Sequence, residues 1–253
     1  MKSSDYIAVF DSGVGGLSVL RHLRRLLPQE NYIYFGDTAN APYGSRSTQE
    51  VRQLTLAAAD KLMAAYPLKA LVVACNTATA AAIRDLRAKY PDLIVIGIEP
   101  ALKLAADDFP GGHIGVMATE VTLREEKFDA LMQRFDTGCT VEKIPAPGLV
   151  ELIEAGKADS PQAQALLQQI LQPYVGKLDA LVLGCTHYPF AAHTIRTVLG
   201  DRVALLDGGD GTARETRRRL AAADLLNQQG GQLLLTTSGD AATFESLAQA
   251  LLA

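Results

Sequence analysis

Residues Ala70 to Thr79 read ALVVACNTAT, and residues Ala180 to Pro189 read ALVLGCTHYP. In both, a run of Ala, Val and Leu ends in a cysteine followed by small polar residues. Short, continuously apolar runs bounded by polar loops read as strands buried on both faces, the pattern of a parallel sheet covered by helices. Parallel strands need long crossovers, and the neighbouring sequence supplies them. Strand-like runs at Tyr6–Phe10, Asn31–Phe35, Ala70–Ala74 and Leu93–Gly97 alternate with helical segments near Leu17–Leu27, Thr48–Ala65 and Ala78–Lys89. After Gly97 the rhythm restarts. Helix Glu99–Asp107, strand His113–Met117, helix Leu123–Phe135 and strand Thr140–Ile144 come first; helices Gly148–Glu154 and Pro161–Tyr174, strand Ala180–Leu183, helix Ala191–Leu199 and strand Val203–Leu206 follow. The remainder holds a helix over Gly211–Asn227, a strand Gln232–Thr236 and a last helix.

This alternation predicts an α/β fold of two similar open, mainly parallel-sheet α/β domains, with the active site in the cleft between them. The chain has 253 residues, 48% of them hydrophobic, enough for two cores of roughly 100 to 150 residues each. The boundaries are expected near 98 and 207. The first domain is then 1–97 plus 208–253, because the C-terminal remainder is too short for a core of its own and chain termini commonly lie close together. The second is 98–207. Each domain places one cysteine, Cys75 or Cys185, at the carboxyl end of a strand, where open α/β sheets bind ligands. Two such domains, if they face each other, would aim both thiols into one cleft, a favoured ligand position.

The charge balance narrows the function. Charged residues make up 21% and the net charge is −4, so no positive excess exists to neutralise a phosphate backbone, and no nucleic-acid partner is expected. No signal-peptide core opens the chain and no apolar run approaches the roughly 20 residues that span a bilayer, so the expectation is a cytoplasmic protein with no membrane partner. The three cysteines, Cys75, Cys139 and Cys185, form no C-x-x-C pair, which disfavours a disulfide scaffold. Zinc wants about four ligands at tight spacing, and Cys185-Thr-His187 is the one close pair, so no metal is expected.

Cys139 reads as a small apolar filler, the commonest use of a free cysteine. Cys75 and Cys185 read as chemistry, since each stands where a strand gives way to a helix. Exposed N–H groups and the helix dipole there favour a thiolate. If two thiols flank one carbon, one must act as base and the other as acid, so only modest tuning suits both. The opening loop, Asp11-Ser-Gly-Val-Gly-Gly16-Leu-Ser18, sits between a strand and a helix as a phosphate loop does, with Asp37 at a ribose carboxylate's spacing. Ser18 at the third fingerprint position, and a carboxylate at Asp11 beside a pyrophosphate, oppose a dinucleotide. The loop Phe35-Gly-Asp-Thr-Ala-Asn-Ala-Pro-Tyr43-Gly44 offers backbone N–H groups to an anionic substrate end.

Taken jointly, the blocks Phe10–Ser18, Tyr34–Gly44, Ala74–Ala78 and Gly184–Pro189, with Gly115–Thr119 and Gly148–Glu154 more loosely, resemble the glutamate racemases of the aspartate/glutamate racemase superfamily. The resemblance implies interconversion of L- and D-glutamate without a cofactor, supplying D-glutamate for peptidoglycan. It implies Cys75 as the base toward D-glutamate and Cys185 toward L-glutamate, assisted by Asp11 and His187, with Glu154 supporting the His187 side. It implies substrate contacts from Asp11, Ser12, Tyr43, Gly44, Asn76, Thr77, Thr119, Thr186 and His187. Glutamate is the expected small-molecule partner, and a homodimer is the candidate assembly. Without an electron sink, the site must stabilise a carbanion by preorganised donors, which the Asn76, Thr77 and Thr186 side chains suit. The rival readings are a racemase of aspartate or another amino acid, a non-catalytic amino-acid-binding protein, and a thiol hydrolase, which would have no need of the second cysteine. At Leu206-Asp-Gly-Gly-Asp210, Gly208 replaces the serine usual in the family, and Glu151 replaces its usual proline.

Overall fold

The computed structural model describes residues 1–124 and 138–252. Its strands are β1 Tyr6–Asp11, β2 Tyr32–Gly36, β3 Leu68–Val73, β4 Ile94–Gly97, β5 His113–Ala118, β6 Thr140–Pro145, β7 Ala180–Leu183, β8 Ala204–Asp207 and β9 Leu233–Thr237. The described helices are α1 Leu17–Leu26, α2 Thr48–Ala65, α3 Asn76–Lys89, α4 Leu102–Asp108, α5 Glu120–Arg124, α6 Leu149–Glu154, α7 Pro161–Leu171, α8 Ala192–Leu199, α9 Gly209–Ala222 and α10 Ala241–Leu252. Beyond Arg124, the helix expected over Leu123–Phe135 lies outside the described residues. Two compact units emerge, Met1–Glu99 with Gly209–Ala253, and Pro100–Gly208.

In the first unit all strand pairs are parallel, in the order β4-β3-β1-β2-β9. The C-terminal strand thus pairs with β2. Ile7, Ala8 and Val9 of β1 are fully buried, as a central strand covered on both faces requires. Ser47 and Glu50 form a reciprocal capping box that starts α2. A buried ion pair joins Lys69 of β3 to Glu30. Lys69 Nζ also donates to the carbonyls of Ser3 and Leu225, and Asn227 N donates to Glu30 Oε1.

The second unit has the order β6-β5-β7-β8, again all parallel. Alternate residues of its strands feed two cores. Ile114, Val116, Ala180 and Val182 pack with Leu102 and Ala105 of α4, while Met117, Leu181 and Leu183 pack with residues of α6, α7 and α8. The two sheets share one topology: β4-β3-β1-β2 and β8-β7-β5-β6 are the same order, with β1 and β5 in equivalent places. Among the described residues, no helix is long and apolar enough to cross a membrane.

Several helix ends depart from the sequence reading for local reasons. α4 starts at Leu102 rather than Glu99, because Pro100 disfavours helical geometry in the residue before it. α7 stops at Leu171 and becomes a 3-10 turn over Gln172–Tyr174, where Pro173 has no N–H to continue the ladder. α9 stops at Ala222 instead of reaching Asn227. Asp224 adopts a left-handed φ of 54°, and Leu225 N reaches back to Leu220 O at 2.9 Å, closing the helix. The hold of Lys69 and Glu30 on Leu225 and Asn227 favours this exit.

Candidate active site

Strand order fixes where ligands can bind. In the first unit the chain goes from β1 outward to β2, then to β3 on the other side of β1; in the second it goes from β5 to β6, then to β7 on the other side of β5. The gaps β1|β3 and β5|β7 are therefore switch points, where successive crossovers leave a crevice at the carboxyl strand ends. Cys75 follows β3 and Cys185 follows β7. Register makes the correspondence residue by residue. Phe10 pairs with Val73 and Met117 with Leu183, and Ala74 N donates to Phe10 O as Gly184 N donates to Met117 O, both at 2.8 Å. Cys75 and Cys185 are thus structural equivalents, as are Ser12 and Thr119, Asn76 and Thr186, Thr77 and His187, and Asp11 and Ala118.

The last two pairs differ in chemistry. In the first unit the acidic group is Asp11, at the end of β1, fully buried, with Oδ1 accepting from Gly13 N at 3.0 Å. Cys75 is itself the N-cap of α3: its Sγ accepts from Ala78 N at 3.4 Å and lies 3.7 Å from Ser12 Oγ. An N–H and the positive helix end thus face the sulfur, which favours negative charge there. Thr77 is buried in the first turn of α3, beside Asn76, whose Oδ1 is buried with no hydrogen-bond partner among the described residues. An acceptor left this way at the carboxyl end of the sheet is open to a donor.

The loop after β2 closes the first half-site. Asp37 N donates to Asp11 O at 2.9 Å, holding the loop to the end of β1. Tyr43 is buried against Phe10, ring centroids 6.3 Å apart, and its hydroxyl donates to Asp37 Oδ2 at 2.6 Å. Asn40 Nδ2 donates to both Asp37 oxygens. Burial first, then the bond to Asp37 and the nearby negative charges, push the Tyr43 hydroxyl far above its ordinary pKa, so it remains a donor to Asp37. With the phenol turned inward, the backbone of Tyr43 and Gly44 is what this loop can offer a ligand. Asp37 is accordingly a support for Tyr43, a role that the dinucleotide spacing of its sequence position does not suggest.

In the second unit the positive group sits on the cysteine loop itself. Cys185 Sγ lies 3.7 Å from His187 Nδ1, and His187 Nε2 lies 2.6 Å from Glu154 Oε1 at the end of α6. Burial alone would push the imidazole pKa down. The Cys185 and Glu154 partners outweigh it and hold His187 well above its ordinary range, so the imidazolium is favoured. Cys185 is followed by a 3-10 turn, Tyr188–Ala191, before α8 begins at Ala192. The positive group beside Cys185 is therefore an imidazolium, where the sequence suggested a helix end. Thr186 is buried, and Thr119 caps α5, accepting from Thr122 N at 3.3 Å. Cys139 is half-buried with Sγ directed at Phe109 O at 3.2 Å, remote in sequence from either half-site. Among the described residues no cluster of His, Cys, Asp and Glu is arranged to hold a metal ion.

The family described as Asp/Glu/Hydantoin racemase matches this chain over residues 9–216. The glutamate racemase of Clostridium perfringens (strain SM101 / Type A) is 45% identical over 242 residues, covering 95% of this chain and 90% of the relative. The chain belongs to the glutamate racemase family. Solved structures of glutamate racemases agree with its fold. The Bacillus anthracis isoform RacE1 matches at TM-score 0.88 and 34% identity, covering 99% of this chain and 94% of that one. The Escherichia coli glutamate racemase, solved with L-glutamate and the activator UDP-MurNAc-ala, matches at 0.84 and 33%, covering 98% and 94%.

Proposed function

We propose that this chain interconverts L- and D-glutamate without a cofactor and so supplies D-glutamate for peptidoglycan. The observation that carries the proposal is the structural equivalence of Cys75 and Cys185, each at the switch point of its own sheet and each beside a positive group. In this reading the two thiols serve opposite faces of one α-carbon. Cys75 takes the proton of D-glutamate while Cys185 returns one to the other face; from L-glutamate the roles reverse. His187, held by Glu154, stands beside Cys185 and stabilises the charge left when that thiol gives up its proton. Asp11 is buried at the end of β1, one residue before Ser12, and assists proton handling on the Cys75 side.

An amino-acid α-proton is only weakly acidic, so charge developing on the carboxylate must be met by donors already in place. The Thr77 and Thr186 side chains and the backbone of Tyr43 and Gly44 supply them. Asn76 Oδ1, lacking a donor, suits the substrate ammonium. That refines the sequence reading, in which Asn76 is one of the preorganised donors. A thiol hydrolase would explain one cysteine and leave the equivalence of the second unexplained.

The test is incubation with each enantiomer in deuterium oxide, following ellipticity and α-proton loss together. Wild type is expected to lose optical activity with α-deuterium entering the product, and Cys75→Ala and Cys185→Ala each to abolish racemisation. Full turnover by either variant, or racemisation of aspartate in preference to glutamate, would overturn the assignment.

A further inference from the structure

We infer that Tyr34 is a positioning residue for the Cys75 half of the reaction, acting through the Gly13 peptide on Asp11 and Ser12. The inference rests on the two-thiol reading above and goes beyond it, since that reading gives Tyr34 no part. Tyr34 lies on β2 beside Val9 of β1 and is fully buried, so in the sequence it reads as core. Its hydroxyl, however, donates to Gly13 O at 2.7 Å, in the loop between Asp11 and α1. On its other side Gly13 donates its N–H to Asp11 Oδ1 at 3.0 Å.

Both polar groups of Gly13 are therefore tied. A glycine has little backbone preference of its own, so its conformation is set by what holds it. The packing shows how tightly the loop is seated. A Cβ at Gly36 would fall 2.7 Å from Gly13 O, and one at Gly16 would fall 2.7 Å from Asp11 Cβ and 3.0 Å from Tyr34 Oη. The Tyr34 ring is backed by Phe244 of α10, stacked at 6.0 Å and 18°. Ser12, between Asp11 and the tied glycine, is the residue whose Oγ lies 3.7 Å from Cys75 Sγ. A phenol bonded to an unrelated carbonyl would be ordinary satisfaction of a buried hydroxyl; here the carbonyl belongs to the loop carrying the Cys75 helper.

Among the described residues, the equivalent position of the second unit carries no phenol. The residue equivalent to Tyr34 is Lys143, paired with Val116, and its Nζ donates to Leu123 O. Loss of the Tyr34 hydroxyl should therefore burden one thiol alone, which gives a signature that general destabilisation lacks. In Tyr34→Phe, kcat should fall about tenfold, the scale expected when a catalytic group is slightly misplaced. With α-deuterated D-glutamate the primary isotope effect should rise, because abstraction by Cys75 becomes more rate-limiting. With α-deuterated L-glutamate it should fall, because abstraction by Cys185 becomes less so. Phe244→Leu, which loosens the ring without removing the hydroxyl, should shift both effects in the same senses by less, and it carries the test if Tyr34→Phe does not fold. Unchanged kcat, or isotope effects that move together for the two enantiomers, overturns the role of Tyr34. Wild type without glutamate racemisation, or Cys75→Ala with it, overturns the two-thiol reading instead.

Discussion

The two thiols are equivalent in place and unequal in support, and that inequality is set by single residues. Register aligns Asp11 with Ala118 and Thr77 with His187, so each half-site has an ionisable side chain at a position where its counterpart has none. On the Cys185 side three groups stand in line, Sγ 3.7 Å from His187 and His187 2.6 Å from Glu154, the relay of the proposed reading. Glu154 helps keep the imidazole protonated, so Glu154→Gln should let the pKa of His187 fall toward what burial dictates. Loss of its proton then begins at lower pH. The alkaline limb of the kcat/KM profile should move to lower pH, with activity near pH 8 down roughly tenfold, a part of the 10²–10⁴ that proton-transfer groups contribute. A Glu154→Gln profile superimposable on wild type would remove Glu154 from the relay. The sequence shows the Cys-x-His spacing openly, and the family resemblance puts Glu154 on the His187 side, but no local spacing shows that Glu154, 33 residues earlier, points at the same ring. Only the packing of α6 against the β7 loop makes that pair.

At the scale of elements, strands were far more legible than the ends of helices. A strand buried on both faces writes itself as an apolar run, and β1, β3, β5 and β7 carry one each, at 6–10, 70–73, 114–118 and 180–183, with the buried Lys69 standing just before the run of β3. Helix ends depend on tertiary partners that no local pattern carries. α9 illustrates this: its favourable sequence continues past Ala222, but Leu225 O and Asn227 N are drawn to Lys69 and Glu30. Tyr43 reads from the sequence as part of a loop suited to an anionic ligand, while the inward turn of its hydroxyl to Asp37 is not legible there, since it requires knowing that the loop folds back on β1. The buried pair also yields a stability prediction. Lys69 and Glu30 side chains are 0% and 1% exposed, so Glu30→Gln leaves an uncompensated charge in the interior. The expected loss is about 3–5 kcal/mol in urea unfolding, the range for breaking a buried pair by removing one partner. A loss below about 1 kcal/mol would mean that the surrounding carbonyls alone hold the ammonium.

For the whole molecule, the repeated reading of strand, crossover and cysteine was enough to give two like α/β units, because topology follows from the order of buried runs and the need for crossovers. What the repeat conceals is that its second copy carries a titratable group buried at its centre. His187 is 3% exposed and its pKa is raised on folding, so the folded chain binds its proton more tightly than the unfolded chain does. The sign follows from linkage. The resulting stabilisation is fully present below the ordinary histidine value of about 6.5 and fades as pH climbs through the raised folded value. Each unit of increase contributes about 1.4 kcal/mol. His187→Gln lacks this term, so the stability advantage of wild type over the variant should be largest near pH 6 and shrink steadily on the alkaline side. Urea unfolding of both proteins at intervals between pH 6 and pH 10, monitored by ellipticity, measures the difference directly. A difference that stays flat across that range, or grows toward alkaline pH, would show that the folded protein holds His187 as the neutral imidazole. Cys185 would then have to be activated by the backbone of its own loop, and the Glu154 contact would serve to orient the ring with no charge to balance.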